Sequence, residues 1–419
     1  MANSALRIAN VDPKLRVAFN ADFTGEKYAA LLRCVNESEK WPADFRISET
    51  PIFLTREFTD EVTCAANEII AATRSPEFVR HSSEAVPKDF EVPNESAHPN
   101  FHVVDFAICA EGDRLVPRLI ELQAFPSLFG FQLRLLDCFR KAYPVIPRNW
   151  TSSFGGIKDD AYLELLRRTI IADSPLESVV LLDIEPEKQK TRVDFAATET
   201  FLGIRPVCVT KIKKRGRQLF YDRDGSDVRI ERIYNRVIFD ELSQRRDLNL
   251  QFHFQDDLDV TWVGHPNWYF RISKHSLPFL KTEHTSPTFF VDEFPAFAKA
   301  TAGKPSDEKV GDYVLKPLYS FAGHGVDMEP TREKIAELKN PHEWILQRKV
   351  EYAAFVPTID GHKSKAEIRM MFVWPDEDRD PTLVNNLVRM SQGKMMGVDF
   401  NIDKTWVGAS IALRASAES

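Results

Sequence analysis

The stretch YVLKPLYSFAGHGV, residues 313–326, joins the end of an apolar strand to a loop of small residues. Lys316 follows three apolar residues, and Pro317 breaks the strand after it. The loop has small residues at Ser320, Ala322, Gly323 and Gly325. Backbone N–H groups in such a loop can bind a phosphate, to which Lys316 would add a positive charge. A surface lysine beside an ordinary turn has the same pattern, so this stretch alone leaves both interpretations open.

The composition is that of a globular protein. The chain has 419 residues, of which 43% are hydrophobic and 28% are charged. This length favours two or three domains with an ample core. A net charge of −7 gives no general attraction to nucleic acid or to anionic membranes. No apolar run approaches the roughly 18 residues of a membrane span, so the sequence predicts no transmembrane helix.

The cysteines and the N-terminal residues indicate in which cellular compartment the protein is expected. The start of the chain, MANSALRIANVDPK, lacks the apolar core of a signal peptide, which favours a cytoplasmic protein. The cysteines are dispersed and form no C-x-x-C motif; they are Cys34, Cys64, Cys109, Cys138 and Cys208. An odd and scattered set is more typical of reduced thiols than of a disulfide framework or a zinc site. We therefore expect five reduced thiols.

The first 159 residues fall into two patterns. Residues 1–100 are mainly helical, because TGEKYAALLRCVNES and TREFTDEVTCAANEIIAATR carry helical periodicity, each with a threonine near its start as a candidate cap. In the unit at 101–159, FHVVDFAIC and PRLIELQAF are typical of two strands that flank the turn AEGDR. A predicted helix over LFGFQLRLLDCFRKAYP follows this hairpin.

The unit at 160–285 alternates helices and strands. SVVLLDI is continuous and apolar, as strands of a buried parallel sheet are. A helix over KTRVDFAATETFLGI, a strand over RPVCVTKI and a hairpin that turns at Asp224-Gly225 come next. This β-α-β order predicts a small Rossmann-like unit. Residues 286–355 contain the Lys316 loop, and residues 356–419 return to strands over AAFVPTID, KAEIRMMFVW and TLVNNLVRMS.

Charged residues on the predicted strands suggest a site for phosphate and metal. Asp105 and Glu121 lie on neighbouring antiparallel strands, where two carboxylates can converge on one Mg²⁺ ion and would repel each other without a cation. Arg369 would reach a phosphoryl group in transfer, with a structural ion pair as the alternative. Arg389 is a second basic candidate for phosphate or substrate, with a surface position as its alternative.

Together these motifs resemble the ATP-grasp superfamily, and more closely its circularly permuted branch, which includes glutathionylspermidine-synthetase-like proteins. In the ordinary order the acidic motif comes last, after the lysine, purine-binding and arginine strands. Here the acidic motif comes first, in DFAIC…LIELQAF, and it is followed in order by ETFLGIRPVCV, IERIYNRV, NWYFRISKHS, YVLKPLYSFAGHGV, WILQRKVE and AEIRMMFVW. The resemblance covers residues 100–410 and leaves 1–100 without an assigned role.

The resemblance implies an α/β (α+β) fold of the circularly permuted ATP-grasp type. Its catalytic sheet would be divided between 101–159 and 356–419, with a Rossmann-like pre-ATP-grasp unit at 160–285 and a lid lobe at 286–355. In that case the hairpin at 101–125 lies in the same sheet as the strands at 366–374 and 383–391. The N-terminal segment at 1–100 stays mainly helical.

The resemblance also implies the site residues. ATP binding is implied for Lys274, Lys316, Ser320, Gly323, Gly325, Gln347, Lys349 and Val350. Mg²⁺ binding is implied for Asp105, Glu121 and Gln123, and phosphoryl transfer for Lys316, Arg369 and Arg389. Lys281 is a rival for the role of Lys274. Gln123 stands where the family has asparagine, which puts its amide oxygen one methylene further out.

The implied activity is that of an ATP-grasp ligase, which converts ATP to ADP and forms a C–N bond. A carboxylate attacks the γ-phosphate to give an acyl phosphate, and an amine then displaces the phosphate. The alternatives are a phosphotransferase and a non-catalytic nucleotide-binding module, the latter favoured by Gln123. The expected partners are a small-molecule carboxylate and an amine, with no nucleic acid and no membrane. The basic run KIKKRGR, residues 211–217, is accordingly interpreted as a solvated loop.

Overall fold

The structure is a computed structural model that describes residues 10–37, 39–294, 309–320, 325–393, 396, 401 and 403–416. Its helices are α1 (Pro13–Asp22), α2 (Gly25–Glu37), α3 (Arg56–Ala72), α4 (Pro76–Ser83), α5 (Phe129–Ala142), α6 (Asp159–Ile170), α7 (Arg192–Leu202), α8 (Phe239–Gln244), α9 (Pro266–Arg271) and α10 (Arg332–Ala336). In this part of the chain, no helix is both long enough and apolar enough to cross a membrane.

The strands lie mostly in the ranges that the sequence indicates. In chain order they are β1 (Ile52–Phe53), β2 (Phe101–Glu111), β3 (Arg114–Gln123), β4 (Trp150–Thr151), β5 (Val179–Asp183), β6 (Arg205–Cys208), β7 (Lys213–Arg215), β8 (Gln218–Arg223), β9 (Ser226–Ile230), β10 (Arg232–Asn235), β11 (Thr261–Val263), β12 (Thr288–Phe290), β13 (Tyr313–Pro317), β14 (Trp344–Arg348), β15 (Ala354–Pro357), β16 (Lys363–Val373), β17 (Thr382–Ser391), β18 (Gly408–Ser410) and β19 (Ala412–Ala415).

The main sheet joins segments that are far apart in sequence. Its order is β18-β17-β16-β2-β3, and β15 pairs with one end of β16. β2 runs antiparallel to both of its neighbours, so that Asp105 lies opposite Arg369 on one side and Glu121 on the other. The predicted pairing of the 101–125 hairpin with the late strands is therefore confirmed. Residues 101–109 are all buried, because both faces of the sheet are covered.

A second sheet is parallel, with the order β11-β10-β5-β6. β5 is buried throughout, as its continuous apolar run predicts. The separate hairpin of β8 and β9 turns at Asp224-Gly225, where φ is 55° and 89°. Both values lie in the left-handed region that a two-residue hairpin turn requires and that glycine adopts at low cost, so the predicted turn is confirmed.

A small antiparallel sheet in the order β12-β14-β13, called the lid sheet below, carries Lys316 and Gln347. It lies against the outer edge of the main sheet. The Leu119 N–H in β3 donates a hydrogen bond of 2.8 Å to the His284 carbonyl, just before β12. Because β3 is the edge strand of the main sheet, this contact brings the lid sheet next to Glu121.

The N-terminal helices are capped as the sequence predicts and pack on the central region. The Thr55 hydroxyl accepts a hydrogen bond from the Phe58 N–H at the start of α3, and the Thr24 hydroxyl accepts one from the Lys27 N–H in α2. β1 and β4 flank β19 in a three-stranded sheet, which ties the N-terminal segment to the C-terminal end of the described chain.

The expectation of five reduced thiols is wrong for two cysteines. Cys34 in α2 and Cys138 in α5 form a disulfide, with their Cα atoms 5.5 Å apart. The two residues are 104 positions apart in sequence, and only the packing of α2 against α5 brings them together. Cys64, Cys109 and Cys208 remain free thiols.

Candidate functional site

Two arginines hold the carboxylate of Asp105 on the main sheet. Arg369 donates from Nε to Oδ1 and from Nη2 to Oδ2 of Asp105, each at 2.6 Å. Arg389 in β17 donates from Nη2 to the same Oδ2 at 3.0 Å. The Asp105 side chain is only 1% exposed, so this is a buried, bidentate ion pair with a third partner. Both oxygens of Asp105 are therefore engaged by guanidinium groups.

Glu367 and Tyr352 extend this network. Glu367 lies two residues before Arg369 on β16, so both side chains are on the same face of the sheet. The Tyr352 hydroxyl donates to Glu367 at 2.5 Å, and Nε of Arg389 lies 2.8 Å from the other Glu367 oxygen. Burial and the negative charge of Glu367 raise the pKa of Tyr352 well above its ordinary value. The hydroxyl thus stays protonated and remains a hydrogen-bond donor.

Glu121 lies at the centre of a group of cations. Nζ of Lys274 is 3.1 Å from Glu121 Oε1, and the Glu121 side chain is 20% exposed. Burial by itself would raise the pKa of Glu121, but the positive charges of Lys274, Arg389, Lys316 and Arg369 outweigh it and lower the pKa to about 2. Glu121 is therefore charged at neutral pH.

Lys316 extends from the lid sheet to the main sheet. Its Nζ donates to Gln347 Oε1 at 2.6 Å and to the Ile120 carbonyl at 3.2 Å. Burial lowers the pKa of Lys316 to about 8, a shift that Lys274 and Arg389 add to and that Glu121 opposes. Because both of its hydrogen-bond acceptors are neutral, little negative charge offsets the positive charge of the Lys316 amine.

Gln347, the predicted contact of adenine, lies between the lid sheet and β3. Gln347 is buried, its Oε1 accepts from Lys316, and its Nε2 donates to the Leu119 carbonyl at 3.2 Å. Its amide therefore holds the lid sheet against β3. Lys349, also predicted to bind ATP, donates from its amine to the Gly311 carbonyl and from its N–H to the Asp312 carbonyl.

A cleft, with room of about 30 Å³ for water-sized groups, lies between β3 and the residues that follow it, the segment at 269–274, and residues 318–320, which follow β13. Its lining residues are Glu121, Leu122, Gln123, Ala124, Phe125, Tyr269, Ile272, Ser273, Lys274, Leu318, Tyr319 and Ser320. Four predicted site residues, Glu121, Gln123, Lys274 and Ser320, are thus brought together. The Ser320 carbonyl accepts a hydrogen bond of 2.7 Å from Lys274, whereas its buried hydroxyl has no hydrogen-bond partner among the residues that the structure describes.

The other residues predicted to bind ATP lie in the glycine loop and after β14. Gly325 has a φ of 75°, and a Cβ there would come within 3.1 Å of Pro317, so glycine is needed for this close turn. Gly323 lies outside the described residues, as does His324. Val350 directly follows Lys349 at the end of β14 and is half-buried.

The predicted magnesium ligands share one face of the hairpin but do not fit a protein-held metal ion. Both Asp105 oxygens accept from arginine, and Glu121 is paired with Lys274. Magnesium requires oxygen ligands in a strict octahedral arrangement. The positively charged guanidinium groups of Arg369 and Arg389 oppose the binding of such an ion at Asp105. In the part of the chain that the structure describes, no group of three or more Asp, Glu, His or Cys side chains is placed to hold a metal.

Comparisons with known proteins bear on the fold. No family model matches the chain, and no curated protein matches it. The structure is similar to that of a glutathione synthetase-like effector from Globodera pallida in its apo form, with a TM-score of 0.55 and 11% sequence identity. The match covers 97% of this chain and 98% of that chain. At this identity the likeness shows the fold alone, which is a mixed α/β fold like that of this glutathione synthetase-like protein.

The sequence interpretation missed two polar members of the site. Glu367 and Tyr352 position Arg389, yet neither stands out in the sequence. The two-residue spacing of Glu367 and Arg369 was the available signal, because it puts both charges on one face of a strand. Tyr352 had no such signal, since it contacts Glu367 from a segment outside the paired strands.

Proposed function

We propose that this chain is an ATP-dependent carboxylate–amine ligase with a circularly permuted ATP-grasp fold. The observation that carries the proposal is the convergence of four cations on one side of the main sheet, all close enough to act on Glu121: Lys274, Lys316, Arg369 and Arg389. A ligand with several negative charges suits such a cluster. The likeness in fold to a glutathione synthetase-like protein supports this class of ligand.

The cleft suits the phosphate part of a nucleotide. Lys274 and Lys316 now donate to main-chain carbonyls, at Ser320 and Ile120, and phosphate oxygens are better acceptors for both amines. The Ser320 hydroxyl, which has no partner in the described part of the chain, is a further donor at the same place. In this proposal the two lysines exchange neutral acceptors for phosphate when the nucleotide binds.

The proposed reaction has two steps. A substrate carboxylate attacks the terminal phosphorus of ATP, ADP leaves, and the product is an acyl phosphate. An amine then attacks the acyl carbon, phosphate leaves with the bonding electron pair, and the amine loses a proton as the amide forms. Arg389, which is 39% exposed and held by Asp105 and Glu367, is the arginine that can offer N–H donors to the negative charge that moves during these steps.

One observation favours a second function, that of a nucleotide-binding protein without turnover. The carboxylate of Asp105 serves as an anchor for two arginines. A protein that has lost catalytic activity still needs the ion pairs that stabilise its fold. Its metal-binding residues are no longer required, so they can change. This candidate shares the nucleotide site and differs from the ligase only in its chemistry.

The test is an assay of ADP and phosphate release from ATP with a panel of carboxylic acids, each alone and with a panel of amines. The ligase proposal requires phosphate release that depends on both an acid and an amine. ADP release with an acid alone, without free phosphate, indicates a phosphotransferase. ATP binding by calorimetry without turnover on any pair selects the second function. Lys316→Met is the matched negative control for site-specific turnover.

A further inference from the structure

The balance of charges in the site bears on whether the protein can hold a magnesium ion. The connected groups are four cations, Lys274, Lys316, Arg369 and Arg389, and three carboxylates, Asp105, Glu121 and Glu367. Ion pairs and hydrogen bonds within this set occupy each carboxylate. The set has one more positive than negative charge when Lys316 is protonated, so it is arranged to receive an anion.

Asp105 cannot turn to a metal without releasing two arginines. Its oxygens are 2.6 Å from two nitrogen atoms of Arg369 and 3.0 Å from Arg389. Removing the carboxylate from these arginines would leave Arg369 without its carboxylate partner and Arg389 with Glu367 alone, next to a newly bound dication. Glu367 offers no substitute, because Tyr352 and Arg389 occupy its two oxygens.

Glu121 is the remaining carboxylate that lines the cleft. The same four cations that keep it charged also repel a divalent cation at its oxygens. Gln123, two residues further along β3, offers a neutral amide oxygen. One carboxylate and one amide, beside Lys274 at 3.1 Å, form a poor site for a metal and a good environment for phosphate oxygens.

We propose that the side-chain cations of this chain replace a protein-held magnesium ion as the partners of the nucleotide phosphates, so that nucleotide binding needs no divalent ion. The inference rests on the proposed nucleotide function and deepens it. Free ATP carries about four negative charges, and the cations of this set, which exceed its carboxylates by one, can act on the phosphates directly. Glu121 then repels the phosphates and does not hold the nucleotide through a metal ion.

The experiment compares ATP binding to the full chain by isothermal titration calorimetry in buffer with EDTA and in buffer with excess Mg²⁺. We expect dissociation constants that agree within about threefold. Tighter binding in Mg²⁺ by more than about threefold overturns the inference and leaves the nucleotide function in place. No binding in either buffer overturns the nucleotide function, and the inference with it.

Glu121→Gln adds a second, independent readout. If Glu121 only opposes the phosphates, the variant binds ATP more tightly than the parent in both buffers, by about three- to tenfold. If Glu121 holds a metal, the variant binds more weakly in Mg²⁺, which overturns the inference. Glu111→Gln is the matched control, because Glu111 lies on the same hairpin, 53% exposed and paired with Arg118. Thermal unfolding without ligand checks that each variant is folded.

Discussion

Replacing Lys316 by arginine should remove most of the pH dependence of ATP binding between pH 7 and pH 9. Burial lowers the pKa of Lys316 to about 8 from its ordinary 10.5, because its amine is held by the neutral oxygens of Gln347 and Ile120. A phosphate binds the charged amine. Affinity is therefore highest below this pKa and falls as the pH rises through about 8.

The size of the effect follows from the pKa. With a pKa near 8, roughly 90% of the free protein carries a charged Lys316 at pH 7, and roughly 10% does so at pH 9. If ATP binds only the charged form, its dissociation constant rises about tenfold over this range. Arginine keeps its charge throughout, so Lys316→Arg should show a change of less than about twofold. The carboxylate of Glu121, with a pKa of about 2, stays charged over the whole range.

The assay is calorimetry or fluorescence titration of ATP at four or five pH values, in EDTA, with the wild type, Lys316→Arg and Lys281→Arg. Lys281 is exposed and does not line the cleft, so its variant controls for a general effect of a lysine-to-arginine change. Two results would refute the reasoning. One is a wild-type affinity that does not change from pH 7 to pH 9, and the other is an unchanged pH dependence in Lys316→Arg.

Two further predictions concern stability. Cys34→Ser should lower the free energy of unfolding by about 2–4 kcal/mol in denaturant titrations, because the disulfide to Cys138 closes a loop of 104 residues in the unfolded chain. Reductant should destabilise the wild type and leave the variant unchanged; five titratable thiols in the unreduced, unfolded wild type would contradict the disulfide. Arg369→Leu should cost about 3–5 kcal/mol, because it leaves the buried carboxylate of Asp105 without its main partner. The double variant with Asp105→Asn should recover part of this loss, and a double variant less stable than Arg369→Leu would show that the pair is not coupled in this way.

Local features of the chain could be predicted because short-range interactions decide them. The Asp224-Gly225 turn, the threonine caps of α2 and α3 and the buried run of β5 depend on neighbours within a few residues. The pairing of the 101–125 hairpin with β16 is a long-range feature. It was predicted from the order of several motifs along the chain and not from any one of them.

The roles of individual side chains were harder to predict, because each depends on the register of the strands. Asp105 and Arg369 are 264 residues apart, and the antiparallel register of β2 and β16 places them directly opposite each other. A shift of one residue would turn one of the two to the other face of the sheet. The sequence indicated both residues as members of one site and left an ion pair as the alternative for Arg369, without naming Asp105 as its partner.

The sequence by itself determined where most helices and strands lie and which residues carry charge at the sheet. Only the tertiary structure decided which partner each charged or polar group takes: arginines for Asp105, Lys274 for Glu121, the oxygens of Gln347 and Ile120 for Lys316, and Cys138 for Cys34. The physical reason is the difference between closeness in sequence and closeness in space. Backbone preferences act between neighbours in sequence, whereas ion pairs, hydrogen bonds and disulfides form over a few ångströms between groups that only the folded chain brings together.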